Sequence, residues 1–311
     1  MLDAMKVGVL MGGVSGEREV SLISGGQASA ALRRKGLNVV DIDIATSHPD
    51  EVREQMRASC IDLAFVALHG EFGEDGGIQE ILDELAMPYT GSGALASRKA
   101  MDKLLSKELF TRAAVPTPQF CVLSSRTAVP QDIEYPVVIK PSASGSSLGV
   151  SIVRDASGFL PAVQKAFACK GRVMMEHYIA GRELTVGILD DSPLAVVEIR
   201  PRSQYYDYNA KYNDDRTEFI APARLDEKMY KFVQGTALRA HRALGCRHFS
   251  RVDIRLGEDH VAYVLEVNSI PGLTSHSLLP LSAKVCGIDF DELILTMARL
   301  ALNEKKQPQE V

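Results

Sequence analysis

The chain has 311 residues, 46% apolar and 24% charged, with a net charge of −5, enough for two or three modest globular domains. That balance leaves no basic footprint for nucleic acid, no apolar run is long enough to span a bilayer, and the start MLDAMKVGVLMGG lacks the pattern of a secretory signal. The five cysteines form no CxxC pair and the seven histidines no His-x-x-x-His pair, which points to free thiols in a reducing cytoplasm and away from zinc.

The apolar run 5–11 predicts a buried strand, residues 12–16 a glycine turn, and the stretch up to about Lys35 a helix. Strand, glycine loop and helix make an α/β opening of the nucleotide-binding sort, although the GxGxxG spacing is missing. Glu17, with Arg18 and Glu19, stands where the loop becomes the helix; taken alone, charge bias in a first helical turn accounts for it. Strands are predicted over 39–44 and 61–68. The second runs into His69-Gly70-Glu71-Phe72-Gly73-Glu74-Asp75-Gly76-Gly77 and a helix over 78–85. Ligands of open α/β sheets sit at the carboxyl ends of strands, where both glycine loops fall. The first domain therefore lines a site, and His69 either serves that site or caps its strand.

Residues 90–93 read as a hinge. One helix is predicted over 94–113, with Lys99, Lys103 and Lys107 at four-residue spacing as a solvated basic face, ended by Val115-Pro116-Thr117-Pro118. A strand over 135–140 ends in Lys140. A Ser/Gly-rich loop, 141–149, with Ser146 and Ser147, and a strand over 150–153 follow. The lysine precedes the loop and no helix follows, unlike a Walker arrangement. Backbone amides and hydroxyls beside Lys140 favour a phosphate flap over a plain mobile hairpin. A helix over 159–167 and strands over 172–179, 184–189 and 194–199 come next. Residues 200–216 hold Tyr205, Tyr206, Tyr208, Lys211 and Tyr212 with almost no aliphatic partner, which predicts a working loop. Helices are predicted over 225–244, ending at Gly245, and over 290–302.

The densest chemistry lies in 251–277. Val252, Ile254 and Leu256 alternate with Arg251, Asp253 and Arg255; Val261, Tyr263, Leu265 and Val267 alternate with Ala262, Val264, Glu266 and Asn268. A turn at 257–260 joins the two strands into a hairpin. Asp253, Glu266 and Asn268 then share a face beside Arg251. Two carboxylates and an amide oxygen suit a hard cation such as Mg²⁺; a solvated face with a cross-strand Arg–Glu pair is the competing reading. The loop that follows, through Gly272 to Ser277, offers backbone donors and hydroxyls to a carboxylate or an oxyanion.

In this order and spacing, GGVSGEREVS, ALHGEFGEDG, AMDK, KPSASGSSLGV, YDYNAKY and RVDIR…LEVNSIPGLTSHS resemble the D-alanine–D-alanine ligases of the ATP-grasp superfamily, nearly end to end. The resemblance implies an α/β (α+β) ATP-grasp fold of three domains. These are an N-terminal open parallel-sheet domain (1–92), a central domain with the flap (93–183) and a C-terminal domain with the metal site and tyrosine-rich loop (184–311), the last two gripping ATP. By the same resemblance, Lys103, Lys140 and Ser147 contact phosphates, and Glu176, Ile179 and Glu183 hold adenine and ribose. Asp253, Glu266 and Asn268 bind Mg²⁺ or Mn²⁺. Glu17 takes the ammonium of the first D-alanine, with Ser146 and Tyr212 closing the site, and His69 and Lys211 also face substrate. Arg251 and the backbone at Gly272 stabilise the oxyanion, and Ser277 holds the second carboxylate. The implied protein is a cytoplasmic homodimer that acts in peptidoglycan precursor synthesis, with neither nucleic acid nor membrane as partner. A relative that takes D-lactate or D-serine as second substrate is the alternative; a kinase halting at a phosphorylated carboxylate and a non-catalytic nucleotide-binding module are more distant ones.

Overall fold

The computed structural model describes residues 2–127, 129–130, 132–169, 171–200, 217–275 and 277–303. Strand β1 (Lys6–Gly12) is apolar on both faces and lies between β2 (Asn38–Ile44) and β3 (Leu63–Val66), parallel to each. A parallel sheet needs cover on both sides. Helix α1 (Arg18–Arg34) supplies Ala28, Ala31 and Leu32 to one face. Helices α2 (Pro49–Ser59) and α3 (Gly77–Glu84) supply Val52, Met56, Ile78 and Leu82 to the other. Helix α2 escapes a pattern search because Val52 and Met56 are its only buried residues, although Pro49, Asp50 and Glu51 form a suitable first turn.

The single helix predicted over 94–113 is two helices, α4 (Ala94–Met101) and α5 (Lys103–Arg112). Between them Asp102 is extended, and its side chain accepts the amides of Leu104 (3.0 Å) and Leu105 (3.4 Å). It is the N-cap that satisfies the exposed donors of a new helix start. The break overturns the solvated basic face: Lys103 and Lys107 are buried.

Four strands, in the order β4 (Phe120–Leu123), β7 (Val173–His177), β5 (Val137–Pro141) and β6 (Ser151–Val153), form an antiparallel sheet. Helix α6 (Phe159–Phe167) packs Phe159, Val163 and Ala166 on it. A five-stranded antiparallel sheet runs β10 (Glu218–Ile220), β9 (Ser192–Arg200), β8 (Gly181–Leu189), β11 (Phe249–Gly257), β12 (Ala262–Asn268). Helix α7 (Glu227–Leu244) covers one face with Val233, Ala237, Ala240 and Leu244, and Phe110 of α5 enters the same core. Helix α8 (Leu278–Val285) follows the hydroxyl-rich loop; its Pro280 sits in the first turn, where no N–H is needed. Helix α9 (Phe290–Leu300) returns to the first sheet, packing Leu293, Ile294 and Met297 into the core around α1. No helix among the described residues is long and apolar enough to cross a membrane.

The β11–β12 hairpin forms with one change of phase. Asp253 pairs with Glu266 and Ile254 with Val264, so Leu265 is the extra residue of a bulge. Ala262 and Val264 therefore join Val267 on the core side, while Tyr263 stands opposite Arg255. Strict alternation had placed Ala262 and Val264 with Glu266, and Tyr263 with Val267. The bulge corrects this and still leaves Glu266 and Asn268 on the face of Asp253.

Candidate active site

The carboxyl ends of β1 and β3 carry the first group of side chains. Ser15 Oγ donates to the His69 carbonyl at 2.7 Å and accepts the Glu17 amide at 3.1 Å, which ties the two glycine loops together. Glu17 accepts a hydrogen bond from Ser146 of the flap. Glycines make this approach possible. A Cβ on Gly70, at φ +72°, would lie 2.8 Å from Glu17 Oε2, and one on Gly145 3.2 Å from it. His69 is buried, its Nε2 3.1 Å from Ser24 Oγ. Burial holds the imidazole at about 4, outweighing its hydrogen bond to Ile270, and the nearby Arg251 charge lowers it further; the ring is neutral at physiological pH. Glu74 Oε2 accepts the Gly70 amide at 2.8 Å. Burial first, and the Glu17 charge second, raise the Glu74 carboxyl to about 8. Glu74 thus keeps its proton at neutral pH.

The β11–β12 face supplies the second group. Asp253 and Glu266 are direct cross-strand partners, an arrangement of like charges that needs positive charge nearby. Arg251 donates to both Asp253 oxygens, Nε to Oδ1 and Nη2 to Oδ2, each at 2.9 Å. Lys103 Nζ lies 3.1 Å from Glu266 Oε2 and donates to the Ser144 carbonyl of the flap at 3.0 Å. Asn268 Nδ2 donates to Asp253 Oδ2 at 3.1 Å, which leaves the amide oxygen as the atom available to a cation. Among the described residues no three His, Cys, Asp or Glu side chains cluster as metal ligands. The set that remains, two carboxylates and an amide oxygen, is the hard-ligand chemistry of Mg²⁺. Beyond β12, the loop is tied to α1: the Leu273 amide donates to Ser24 Oγ at 3.4 Å and the Ser275 amide to Gln27 Oε1 at 2.8 Å. Ser277 Oγ accepts the Thr274 amide at 3.0 Å, and a Cβ on Gly272 would sit 3.0 Å from that oxygen.

The third group lies between the two antiparallel sheets. Lys140 Nζ pairs with Glu176 Oε1 at 2.7 Å and Lys107 Nζ with Glu176 Oε2 at 2.9 Å, all three residues being buried. Burial alone would raise Glu176; the two ammonium groups outweigh it and hold the carboxyl below its usual range. Oε2 accepts no hydrogen bond, so its contact with Lys107 is an ion pair only. Arg255 organises the next turn, with Nε to the Ile179 carbonyl, Nη1 to Glu183 Oε2 and Nη2 to the Tyr178 hydroxyl, each at 3.2 Å.

These groups line two cavities. One, of about 560 Å³, is bounded by Glu17, His69, Ser146, Arg251, Gly272 and Ser277 among others. The second, of about 150 Å³, is bounded by Lys140, Ser147, Glu176, Ile179, Glu183 and Asp253 among others. Lys103 and Glu266 belong to both walls, so the cavities meet at that ion pair. A small cleft with two lysines and a hydroxyl loop opens onto a larger one with a carboxylate, an arginine and a serine. The pair can place an anion donor beside an acceptor.

Residues 109–299 match the family profile of the D-ala D-ala ligase C-terminus, and 45–92 that of the D-ala D-ala ligase N-terminus. A D-alanine–D-alanine ligase of Geotalea uraniireducens is 43% identical over 309 residues, 97% of this chain and 98% of its own. One of Citrifermentans bemidjiense is 44% identical over 300 residues, 96% and 97% of the two chains. The chain belongs to the D-alanine–D-alanine ligase family. Its ATP-grasp architecture agrees. The crystal structure of a D-alanine–D-alanine ligase from Bacillus anthracis superposes with a TM-score of 0.86 at 36% identity, covering 96% of this chain and 98% of that one. A D-alanine–D-alanine ligase from Bacillus anthracis complexed with ATP gives 0.84 at 32%, with the same coverage.

Of the residues singled out by resemblance to this ligase family, the structure brings Glu17, His69, Lys103, Ser146, Arg251, Glu266, Asn268, Gly272 and Ser277 to the larger cavity, and Lys103, Lys140, Ser147, Glu176, Ile179, Glu183, Asp253 and Glu266 to the smaller. Lys211 and Tyr212 lie outside the described residues. Three further participants escaped sequence reasoning. Glu74 is one acid among several in a loop, and only enclosure distinguishes it. Lys107 falls on the spacing of a surface stripe; the Asp102 break was the available signal. Arg255 sits on the polar phase of β11, and nothing local marks its reach to β8.

Proposed function

We propose that this protein joins two molecules of D-alanine into D-alanyl-D-alanine, with ATP consumed through an acyl phosphate, as a step in peptidoglycan precursor synthesis. The observation that carries this reading is the meeting of the two cavities at Lys103 and Glu266, beside Arg251 and Asp253. The ATP complex of the Bacillus anthracis relative supports ATP as a substrate, and the lysines and hydroxyl loop of the smaller cavity make it the nucleotide site of this reading.

The chemistry follows from the side chains. A carboxylate is a poor acyl donor because its oxygen does not leave; transfer of the γ-phosphoryl makes it a good one. Charge in that transfer spreads over phosphate oxygens, so cations matter more than a nucleophilic side chain. Lys103, Lys140 and the flap around Ser147 supply positive charge and donors. Asp253, Glu266 and the Asn268 oxygen would hold Mg²⁺, which neutralises phosphate charge when bound. Glu176 and Ile179 would hold adenine, and Glu183 the ribose.

Glu17 receives the ammonium of the first D-alanine, assisted by Tyr212, while neutral Glu74 and His69 add no second full charge against it. The second D-alanine binds by its carboxylate at Ser277, and Lys211, within the tyrosine-rich loop, also faces substrate. Its neutral amine attacks the acyl carbon, the carbonyl oxygen gains charge beside Arg251 and the Gly272 amide, the nitrogen sheds its proton, and the C–O bond to phosphate breaks. Losing such an oxyanion donor costs roughly 10²–10³ in turnover. Holding the amine in line contributes up to about 7–11 kcal/mol. The flap 141–149 keeps water from the acyl phosphate. The division into 1–92, 93–183 and 184–311, a homodimeric assembly and a cytoplasmic setting complete the proposal.

The deciding experiment supplies ATP, Mg²⁺ and D-alanine, with phosphate release followed and products read by mass spectrometry, and with D-lactate, D-serine and L-alanine in parallel. D-alanyl-D-alanine formed with one phosphate per dipeptide is the expected result. ATP binding without any D-alanine-dependent phosphate release would overturn the substrate assignment.

A further inference from the structure

Lys107 is a charged group that the chemistry above does not use. It is fully enclosed; its ammonium donates to Thr117 Oγ1 at 2.7 Å and to the Pro118 carbonyl at 3.4 Å, and pairs with Glu176 Oε2 at 2.9 Å. The Phe120 ring lies on a further side, its centroid 5.5 Å away. So enclosed a lysine is held in place and does not itself line the cavity. Lys140 differs. It lines the smaller cavity, and its one recorded partner among the described residues is Glu176 Oε1 at 2.7 Å, so two of its protons remain for the cleft.

The charge count decides what this means. Two ammonium groups share one carboxylate inside a poorly solvated wall, where burying an uncompensated charge is costly. Burial draws the Lys107 ammonium down to about 8, against the pull of Glu176, with Lys140 lowering it further; at neutral pH it is still mostly charged. The trio thus carries a surplus of one positive charge, and Lys140 is the ammonium of the trio that faces the cavity. Without Lys107, Glu176 and Lys140 would form a neutral, closed pair.

We propose that Lys107 is a positioning residue for nucleotide binding: by sharing Glu176 with Lys140, it leaves the Lys140 ammonium only half-neutralised and free to take the phosphate end of the nucleotide. This rests on the proposed ATP site. It predicts a larger effect on phosphates than on base and sugar, because Lys107 meets the base site only through Glu176. A role in packing alone would weaken binding of the whole nucleotide or the stability of the fold, without regard to phosphate.

The test compares affinities for ATP and for adenosine, by calorimetry and by ligand-observed NMR, in the full chain and in Lys107→Met, which keeps the length and removes the charge. In K107M the ratio of ATP to adenosine affinity is expected to fall about tenfold or more, with adenosine affinity changed far less than that of ATP. In K107M/E176Q, where Lys140 has no carboxylate to neutralise it, the ratio is expected to return to the parent value or exceed it. An unchanged ratio in K107M, or equal losses for both ligands, overturns the inference while leaving the ATP site standing. Absence of ATP binding by the unsubstituted protein overturns both. Should K107M not fold, the double variant decides alone: a ratio at or above the parent's supports the role, and a ratio tenfold below it refutes it.

Discussion

At the scale of single residues, the site is a set of charges whose neighbours decide what each can do. Glu74 illustrates this through its linkage to stability. Its folded carboxyl titrates near 8, against an ordinary value of 4.5. Between those two pH values the folded chain keeps a proton that the unfolded chain has released. Stability from this group is therefore complete below about pH 4.5 and is lost as pH rises through 8. Glu74→Gln should flatten the decline of Tm between pH 5 and pH 8, matching the parent at pH 5 and exceeding it by a few degrees at pH 8. Melting curves across that range check it, and a decline as steep as the parent's would refute it. Arg251 carries a second expectation. Its two bonds to Asp253 depend on the guanidinium fork, which lysine cannot reproduce. Arg251→Lys should lower kcat by about 10²–10³ and leave the KM for ATP within a few-fold. Steady-state kinetics at saturating ATP give the answer.

At the scale of elements, much of the architecture could be read from pattern, because most elements here are apolar on the expected period. Strand β1 and helix α6 fall where hydrophobic runs place them. Apart from helix α2, whose two buried residues are too few to make a pattern, two failures share a cause: a single residue changes the phase. Leu265 bulges out of β12 and shifts which side chains face the core, something alternation cannot foresee. Asp102 divides one helical pattern into two, since a polar residue inside a helix and an N-cap look alike until the backbone turns. The candidate site was readable for a different reason. Its side chains lie at strand ends and in glycine loops, where motif order survives; Glu74, Lys107 and Arg255 act across elements and leave no local mark. The Asp102 cap also has functional weight, because it starts the helix that carries both Lys103 and Lys107. Asp102→Ala should cost about 0.5–2 kcal/mol of stability. It should also raise the KM for ATP more than that for D-alanine, as the two lysines lose their common support. Equal changes in both KM values would show that the cap serves only the fold.

At the scale of the whole molecule, the flap joins parts of the chain that are far apart in sequence. Ser146 donates to Glu17 in the first sheet's loop. Lys103 of α5 holds the Ser144 carbonyl and at the same time pairs with Glu266 of β12. The Lys103 amide donates to the Ser142 carbonyl at 2.9 Å, and the Ser142 amide to the Arg172 carbonyl at 2.7 Å. Ser146 and Ser147 both adopt left-handed backbone, at φ +50° and +57°, a conformation that non-glycine residues hold only when their surroundings enforce it. The loop is thus held at Ser142, Ser144 and Ser146, and Ser146 makes the side-chain contact to Glu17. Removing that hydroxyl should leave nucleotide binding nearly intact, since Lys103 and Lys140 are untouched, while the flap opens more often. The consequence lies in partitioning. An acyl phosphate in an open site meets water as well as the second amine, so Ser146→Ala should release more than one phosphate per dipeptide, against one in the parent, with faster amide hydrogen exchange in 141–149. Both quantities can be measured on the same sample. Faster exchange with the ratio still at one would mean that the flap does not guard the intermediate; a raised ratio with unchanged exchange would place the water entry elsewhere.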